Sequence, residues 1–129
     1  MRSIWRALAI VGMFGASAPA MAADWSYITS SDSGSDHYYD KASVKRIGAM
    51  VQFWSREDAT KADVGDDYPL VSDALEEIDC AAGRLRVIQI IDRDEMFQEV
   101  ERYDFTAEIM WNAIGPSTVA SNKRAIVCK

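Results

Sequence analysis

Leu70 to Asp92 reads LVSDALEEIDCAAGRLRVIQIID, and the architecture turns on whether its first half is helix or strand. Leu70, Val71, Ala74, Leu75 and Ile78 recur at i, i+1, i+4, i+5 and i+8, which suits a helical face. The same residues also alternate: Ala74, Glu76, Ile78 and Cys80 against Leu75, Glu77 and Asp79. Periodicity alone leans toward helix. The second half is less ambiguous, because Arg84 to Asp92 (RLRVIQIID) is the most β-like run in the chain and Ala81-Ala82-Gly83 before it is a compact turn. A hairpin across Gly83 needs an extended partner, so the expectation is strand on both sides.

Working outward, Glu57 to Asp67 holds five carboxylates and Gly65 and reads as an exposed loop. Upstream, Ala49 to Arg56 supplies the strand residues Val51, Phe53 and Trp54, and Lys41 to Gly48 (KASVKRIG) reads as a turn. Within it, Asp40 and Ser43 are suited to side-chain bonds with the backbone and Gly48 to a positive φ. Trp25 to Thr29 is a candidate strand, Ser30 to Asp36 a turn dense in Ser, Asp and Gly, and His37 to Tyr39 the returning arm. Downstream, Glu99 to Phe105 reads as a strand. The tail reads as a short helix capped by Ser117 or Thr118, with Val119, Ala120, Ile126 and Val127 on one face and Lys123 snorkelling between them. The sum is an α+β fold, mainly β: a small antiparallel sheet of about five or six strands with a C-terminal helix.

The first 22 residues carry Arg2 and Arg6, an apolar core from Ala7 to Ala16 and the small-residue site Ala20-Met21-Ala22. That is the pattern of a secretory signal peptide cut before Ala23. The apolar run falls short of the roughly 20 residues a spanning helix needs, so no transmembrane anchor is expected. Residues 23–129 suffice for one domain. They hold 12 basic and 20 acidic side chains, a net charge of -8. Such a balance repels nucleic acid and anionic head groups, while a basic protein or matrix partner is electrostatically allowed, although acidity alone usually means only solubility.

Cys80 and Cys128 are the two cysteines, and an even count in an exported chain implies a disulfide with one possible pairing. It would tether the terminal helix to the sheet. A redox role would want a CxxC spacing, which is absent. No catalytic apparatus can be assembled: His37 is the lone histidine and reads as an exposed side chain, and both thiols are committed to the bridge. DSGSDHYYD (Asp32 to Asp40) lacks the ligand pattern of a calcium loop, and Glu76 and Glu77 on a strand point to opposite faces. No metal or cofactor is expected.

Taken as an ordered set, Trp25, Tyr38-Tyr39-Asp40 with Ser43 and Gly48, Val51 and Trp54, Tyr68, Asp79-Cys80, Trp111, Pro116-Ser117 and Cys128 resemble the surface-adhesin protein E family. The resemblance covers nearly all of 23–129. It implies an antiparallel sheet with a C-terminal helix held by the cysteine bridge, and strand for residues 70–79. It also implies an outer-membrane adhesin without catalytic activity that binds host matrix or serum proteins and can form a homodimer. No cysteine stands at the cleavage site to carry lipid, so the chain is expected in the periplasm or secreted, with surface association as the family variant. The alternatives are an envelope accessory protein or a small periplasmic enzyme. The candidate binding surface comprises the acidic-loop residues Asp58, Asp63, Asp66 and Asp67 with the aromatics Tyr38, Trp54 and Trp111.

Overall fold

The computed structural model describes residues 22–129; the expected leader lies outside the described residues except for Ala22. Among the described residues eight strands form one antiparallel sheet. Six follow one path in the order β1 (Trp25–Ser30), β2 (Asp36–Asp40), β4 (Met50–Asp58), β5 (Val71–Asp79), β6 (Arg84–Arg93) and β7 (Glu99–Asp104). Two short strands sit off it, β3 (Lys45–Ile47) beside β4 and β8 (Asn112–Ala113) beside β6. The expectation of five or six strands missed these two. Three and two residues are too few to show alternation, and neither strand buries a side chain.

The contested segment is strand β5, paired with β4 on one edge and β6 on the other, with Asp79 opposite Arg84 across the turn. Helical spacing in LVSDALEEID is outweighed by two ladders of backbone bonds, unbroken toward β4 and interrupted toward β6 only by a register shift between Leu75 and Glu76. Gly83 holds φ at 66° and its N–H returns to Asp79 O at 2.9 Å, a conformation that disfavours a Cβ. KASVKRIG is only in part the expected turn. Lys41–Ser43 makes one 3-10 turn, after which β3 runs back along β4 through a tight connection at Gly48, where φ is 61°. Asp40 Oδ1 accepts from Ala42 N (3.0 Å), and the Ser43 hydroxyl donates to Asp40 O while accepting from Trp54 N, both at 2.8 Å.

One sheet face carries the core. Val51 and Phe53 on β4 and Ile78 on β5 are fully buried, and Val51 lies directly opposite Ile78. Helix α1 (Val119–Val127) brings Val127 onto this cluster, with Ile126, Leu85 and Ile114 packed at its margin. Thr118, rather than Ser117, caps the helix. Its hydroxyl accepts from Ser121 N at 3.1 Å while its own N–H donates to Ser121 Oγ at 2.9 Å, and Ser117 turns the chain with φ of 57°.

Nine residues are too few for a helix to persist alone, so α1 depends on its attachments. Cys80, just past β5, is bonded to Cys128 at the helix C-cap, with the Cα atoms 5.7 Å apart. Arg124 Nη2 donates to Cys80 O at 2.7 Å beside the bridge. Closing a loop of 48 residues removes unfolded-state entropy worth about 4 kcal/mol in the chain-entropy model. Cys128→Ser is therefore expected to lower unfolding free energy by about 2–5 kcal/mol, read from the urea midpoint of the oxidised protein.

Candidate binding face

Because side chains alternate along a strand, each core residue leaves its neighbours on the helix-free face. Arg56 is two residues beyond Trp54 and shares that face with it. Antiparallel register then extends a row across six strands: Tyr27, Tyr38, Arg56, Asp73, Ile91 and Arg102.

Asp73 is the electrostatic centre of this row. It is 3% exposed and receives Arg56 in a two-pronged bond, Nε to Oδ1 at 2.6 Å and Nη2 to Oδ2 at 2.8 Å. Arg93 Nε also donates to Asp73 Oδ2 at 2.8 Å. The Arg56 guanidinium lies 4.3 Å from the centre of the Trp25 ring and 4.8 Å from that of Phe97, so it is held by an ion pair and by two π faces. Phe97 reaches it from the tip of the β6–β7 connection with φ of 61°, unusual for a bulky residue. Arg93 Nη1 donates to Phe97 O at 3.0 Å and secures that turn.

A second charged row crosses nearer the Gly83 turn. Glu77 accepts from Gln52 Nε2 at 2.6 Å and from Arg86 Nε at 3.2 Å. Arg84 donates to Asp79 at 3.2 Å, and Arg84 and Arg86 lie 4.5 and 5.5 Å from the Trp111 ring centre. The Asp79 carboxyl is held below its usual range, chiefly by the Ala82 N–H and further by Arg84.

Strand register puts Tyr38 and Trp54 on one side of the sheet, with Tyr38 in edge-to-face contact with Tyr27 at 5.9 Å, and Trp111 joins that side through Arg84 and Arg86 rather than through a strand of its own. The acidic segment divides. Glu57 and Asp58 belong to β4 and Ala59 is buried, so the exposed loop starts later than expected. Asp58 accepts from Thr60 N at 3.0 Å and from its hydroxyl at 2.6 Å, shaping the loop. Tyr68 donates to Glu57 at 2.6 Å, which pushes the phenol up to about 12. Asp63 is exposed, while Asp66 and Asp67 line a groove of about 360 Å³ with Asp92, Asp94 and Glu101. Arg56, Asp73, Arg93 and Phe97 were absent from the expected surface. Arg56 was within reach through its spacing from Trp54, but Asp73 and Arg93 needed the register.

On the helix side a small chamber of about 110 Å³ is lined by His37, Ser55, Glu76 and Lys123, among others. Lys123 does not snorkel outward; its Nζ turns in to Glu76 at 2.5 Å, and the Ser55 hydroxyl donates to the same carboxylate. His37 is not exposed either. It is 9% accessible, and its Nε2 has no hydrogen-bond partner among the described residues. Among the described residues no cluster of His, Cys, Asp or Glu is arranged to hold a metal ion.

Removing the central carboxylate should leave two partly buried guanidiniums unneutralised. Asp73→Asn is expected to destabilise the fold by about 3 kcal/mol in urea unfolding, well beyond the effect of a surface charge change. His37 carries a pH dependence. Burial lowers its pKa below 6.5 and Lys123 lowers it further, against the raising effects of Glu57, Glu76 and Asp36. The unfolded chain therefore binds the proton first on acidification. The stability this residue contributes is whole above about pH 6.5 and is lost as pH falls through the folded value. His37→Gln is expected to flatten the fall in urea midpoint between about pH 7 and 5.

The architecture has a counterpart among solved structures. The crystal structure of protein E from non-typeable Haemophilus influenzae superposes with a TM-score of 0.53 at 18% identity, covering 86% of this chain and 80% of that one. No curated protein matches the chain in sequence. Among the described residues no helix is long and apolar enough to cross a membrane. The family model for surface-adhesin protein E matches residues 25–129. The chain therefore belongs to the surface-adhesin protein E family.

Proposed function

We propose that residues 23–129 form one exported, adhesin-like domain without catalytic activity, released from a leader spanning 1–22, whose helix-free sheet face binds another protein. The observation carrying this reading is the Arg–aromatic row, where Arg56 is held against the Trp25 and Phe97 rings and by Asp73, beside the half-buried Trp54. Trp, Tyr and Arg dominate binding hot spots because they bring large contact area and directional bonds at low entropic cost. Here much of that cost is met on folding. The periplasm or extracellular space is the compartment that fits a disulfide and a leader.

The acidic loop supplies the second element. Asp63, Asp66 and Asp67 stand beyond the row in solvent, and the groove beside them gathers further carboxylates. A partner with a basic surface, such as a host matrix or serum protein, would be steered toward it. Membership of an adhesin family supports that class of partner.

Surface binding kinetics against purified matrix and serum proteins test the reading. Trp54→Ala is expected to weaken binding at least about tenfold through faster dissociation. Changing Asp63, Asp66 and Asp67 together to Asn should slow association at low salt and leave thermal stability nearly unchanged. Asp58 is left intact because it holds Thr60. Absence of binding to every such protein would redirect the reading to a partner within the bacterial envelope.

A further inference from the structure

Helix α1 covers only part of its own side of the sheet. Val127 and Lys123 seat it over β4 and β5, at Ile78 and Glu76. Alternation carries that face on to Ala74 and Ser72, and register carries it to Ile90 and Asp92 of β6 and then to Tyr103 and Glu101 of β7. Two hollows open there, and no residue of α1 lines either. β7 is the last strand of the path, all six of its residues are exposed, and its outer edge pairs with no strand among the described residues.

The first hollow, of about 200 Å³, is walled mostly by Val87, Ile90, Phe105 and Met110, with Glu108 and Asn112 completing it. Met110 stands 68% exposed beside it. The second is the groove of about 360 Å³ at the acidic loop, where Tyr68, Tyr103 and the 69% exposed Val100 join Asp66, Asp67, Asp92, Asp94 and Glu101. Tyr103 stacks on Phe105 with ring centres 6.4 Å apart, so one aromatic pair joins the two hollows. Together they present six carboxylates and one guanidinium, that of Arg93, which already donates to Asp73 and to Phe97 O. Arg102 adds nothing to this side, because it lies opposite Ile91 on the other face.

That combination selects the occupant. A second copy would bring a net charge of -8 up to these carboxylates, and an anionic lipid surface would be repelled in the same way. A metal ion finds no arranged set of ligands among the described residues. An apolar molecule would fill the first hollow and leave the groove unused. An extended peptide carrying one large apolar and two cationic side chains uses every feature: the hollow, the carboxylates, the tyrosine faces and the free strand edge. Phe105 and Glu101 are four residues apart, about 13 Å along an extended chain, which sets the spacing the peptide must match. We propose that the β6–β7 margin docks an extended basic segment of a protein partner, with an apolar anchor in the first hollow and Lys or Arg two and four positions away in the groove. The inference rests on the reading that this domain binds proteins, and it adds a second face to that reading.

The probes are two acetylated, amidated peptides, GLTKTKG and its reverse GKTKTLG, titrated into the isotopically labelled, oxidised protein and followed by amide NMR. At least one is expected to shift the backbone signals of Glu101 to Asp104 saturably at millimolar concentration or below, while the indole signals of Trp25 and Trp54 stay in place. Replacing its Leu by Ser, or both Lys by Glu, should weaken binding at least about fivefold. Met110→Ser, at an exposed position, should weaken it about threefold with Tm unchanged, and joint Asp66→Asn, Asp67→Asn and Glu101→Gln should weaken it and flatten its salt dependence. No saturable shift with either peptide would overturn the proposal, as would equal affinity for the Ser or the Glu peptide. Shifts confined to the Trp25 and Trp54 indoles would overturn it too and assign the segment to the helix-free face, with the protein-binding reading intact. A dimer in sedimentation that Met110→Ser dissociates would give the margin to a second copy and likewise overturn it. Peptide docking at the margin without capture of any matrix or serum protein would support this inference while overturning that choice of partner, so the two fail separately.

Discussion

The neutralisation of strand β5 is the constraint on which the rest of the structure depends. This strand is hydrogen-bonded along both edges and carries four buried carboxylates, Asp73, Glu76, Glu77 and Asp79. A buried charge is tolerable only when paired and bonded. Each of the four meets a cation from a neighbouring element: Asp73 takes Arg56 of β4 and Arg93 of β6, Glu76 takes Lys123 of α1, and Glu77 and Asp79 take Arg86 and Arg84 of β6. The register of β4 and β6 and the seating of α1 must therefore be right together. A slip of one residue would send every partner to the wrong face.

Alternation along β5 sends these charges to two sides with different consequences. Glu76 faces the helix, where Lys123 adds an ionic contact to the apolar one at Val127 and the covalent one at Cys128. Those attachments make a nine-residue helix part of the core. Asp73 faces the other way and organises two guanidiniums among aromatic rings. The strand that anchors the helix thus also builds the candidate binding face. Polar groups that would weaken a purely apolar core supply fixed donors and rings on the solvent side.

The loops refine rather than set this plan. Ser43 ties the 3-10 turn to Trp54 through its backbone N–H, and Tyr68 ties the acidic loop to Glu57. Phe97 is held left-handed at a hairpin tip, and its ring closes over Arg56. Backbone strain at a non-glycine residue persists where surrounding contacts over-determine it. Here those contacts are the Arg56 guanidinium and the Arg93 bond to Phe97 O.

Much of the architecture was legible locally. The turn chemistry at Gly83 and Gly48, the β-rich run after Arg84, the capping residues before Val119 and the even cysteine count depend on neighbours a few residues apart or on pairing with no alternative. Residues 70–79 needed more than their own pattern, because spacing compatible with helix was overruled by ladders with β4 and β6. The short strands β3 and β8 left no signal at all. His37 and Lys123 were misjudged for one reason: a side chain's burial is set by what the sheet and α1 place around it, and neither Ser55 nor Glu76 is near them in sequence. The candidate binding face divides in the same way. Tyr38, Trp54 and Trp111 stand out by residue type, but only the register of β4, β5 and β6 puts Asp73 between Arg56 and Arg93, and only the folded chain brings the Trp25 and Phe97 rings to Arg56. Composition and local conformation settle in the chain itself, whereas the pairing of charges distant in sequence exists only once the sheet has closed its register.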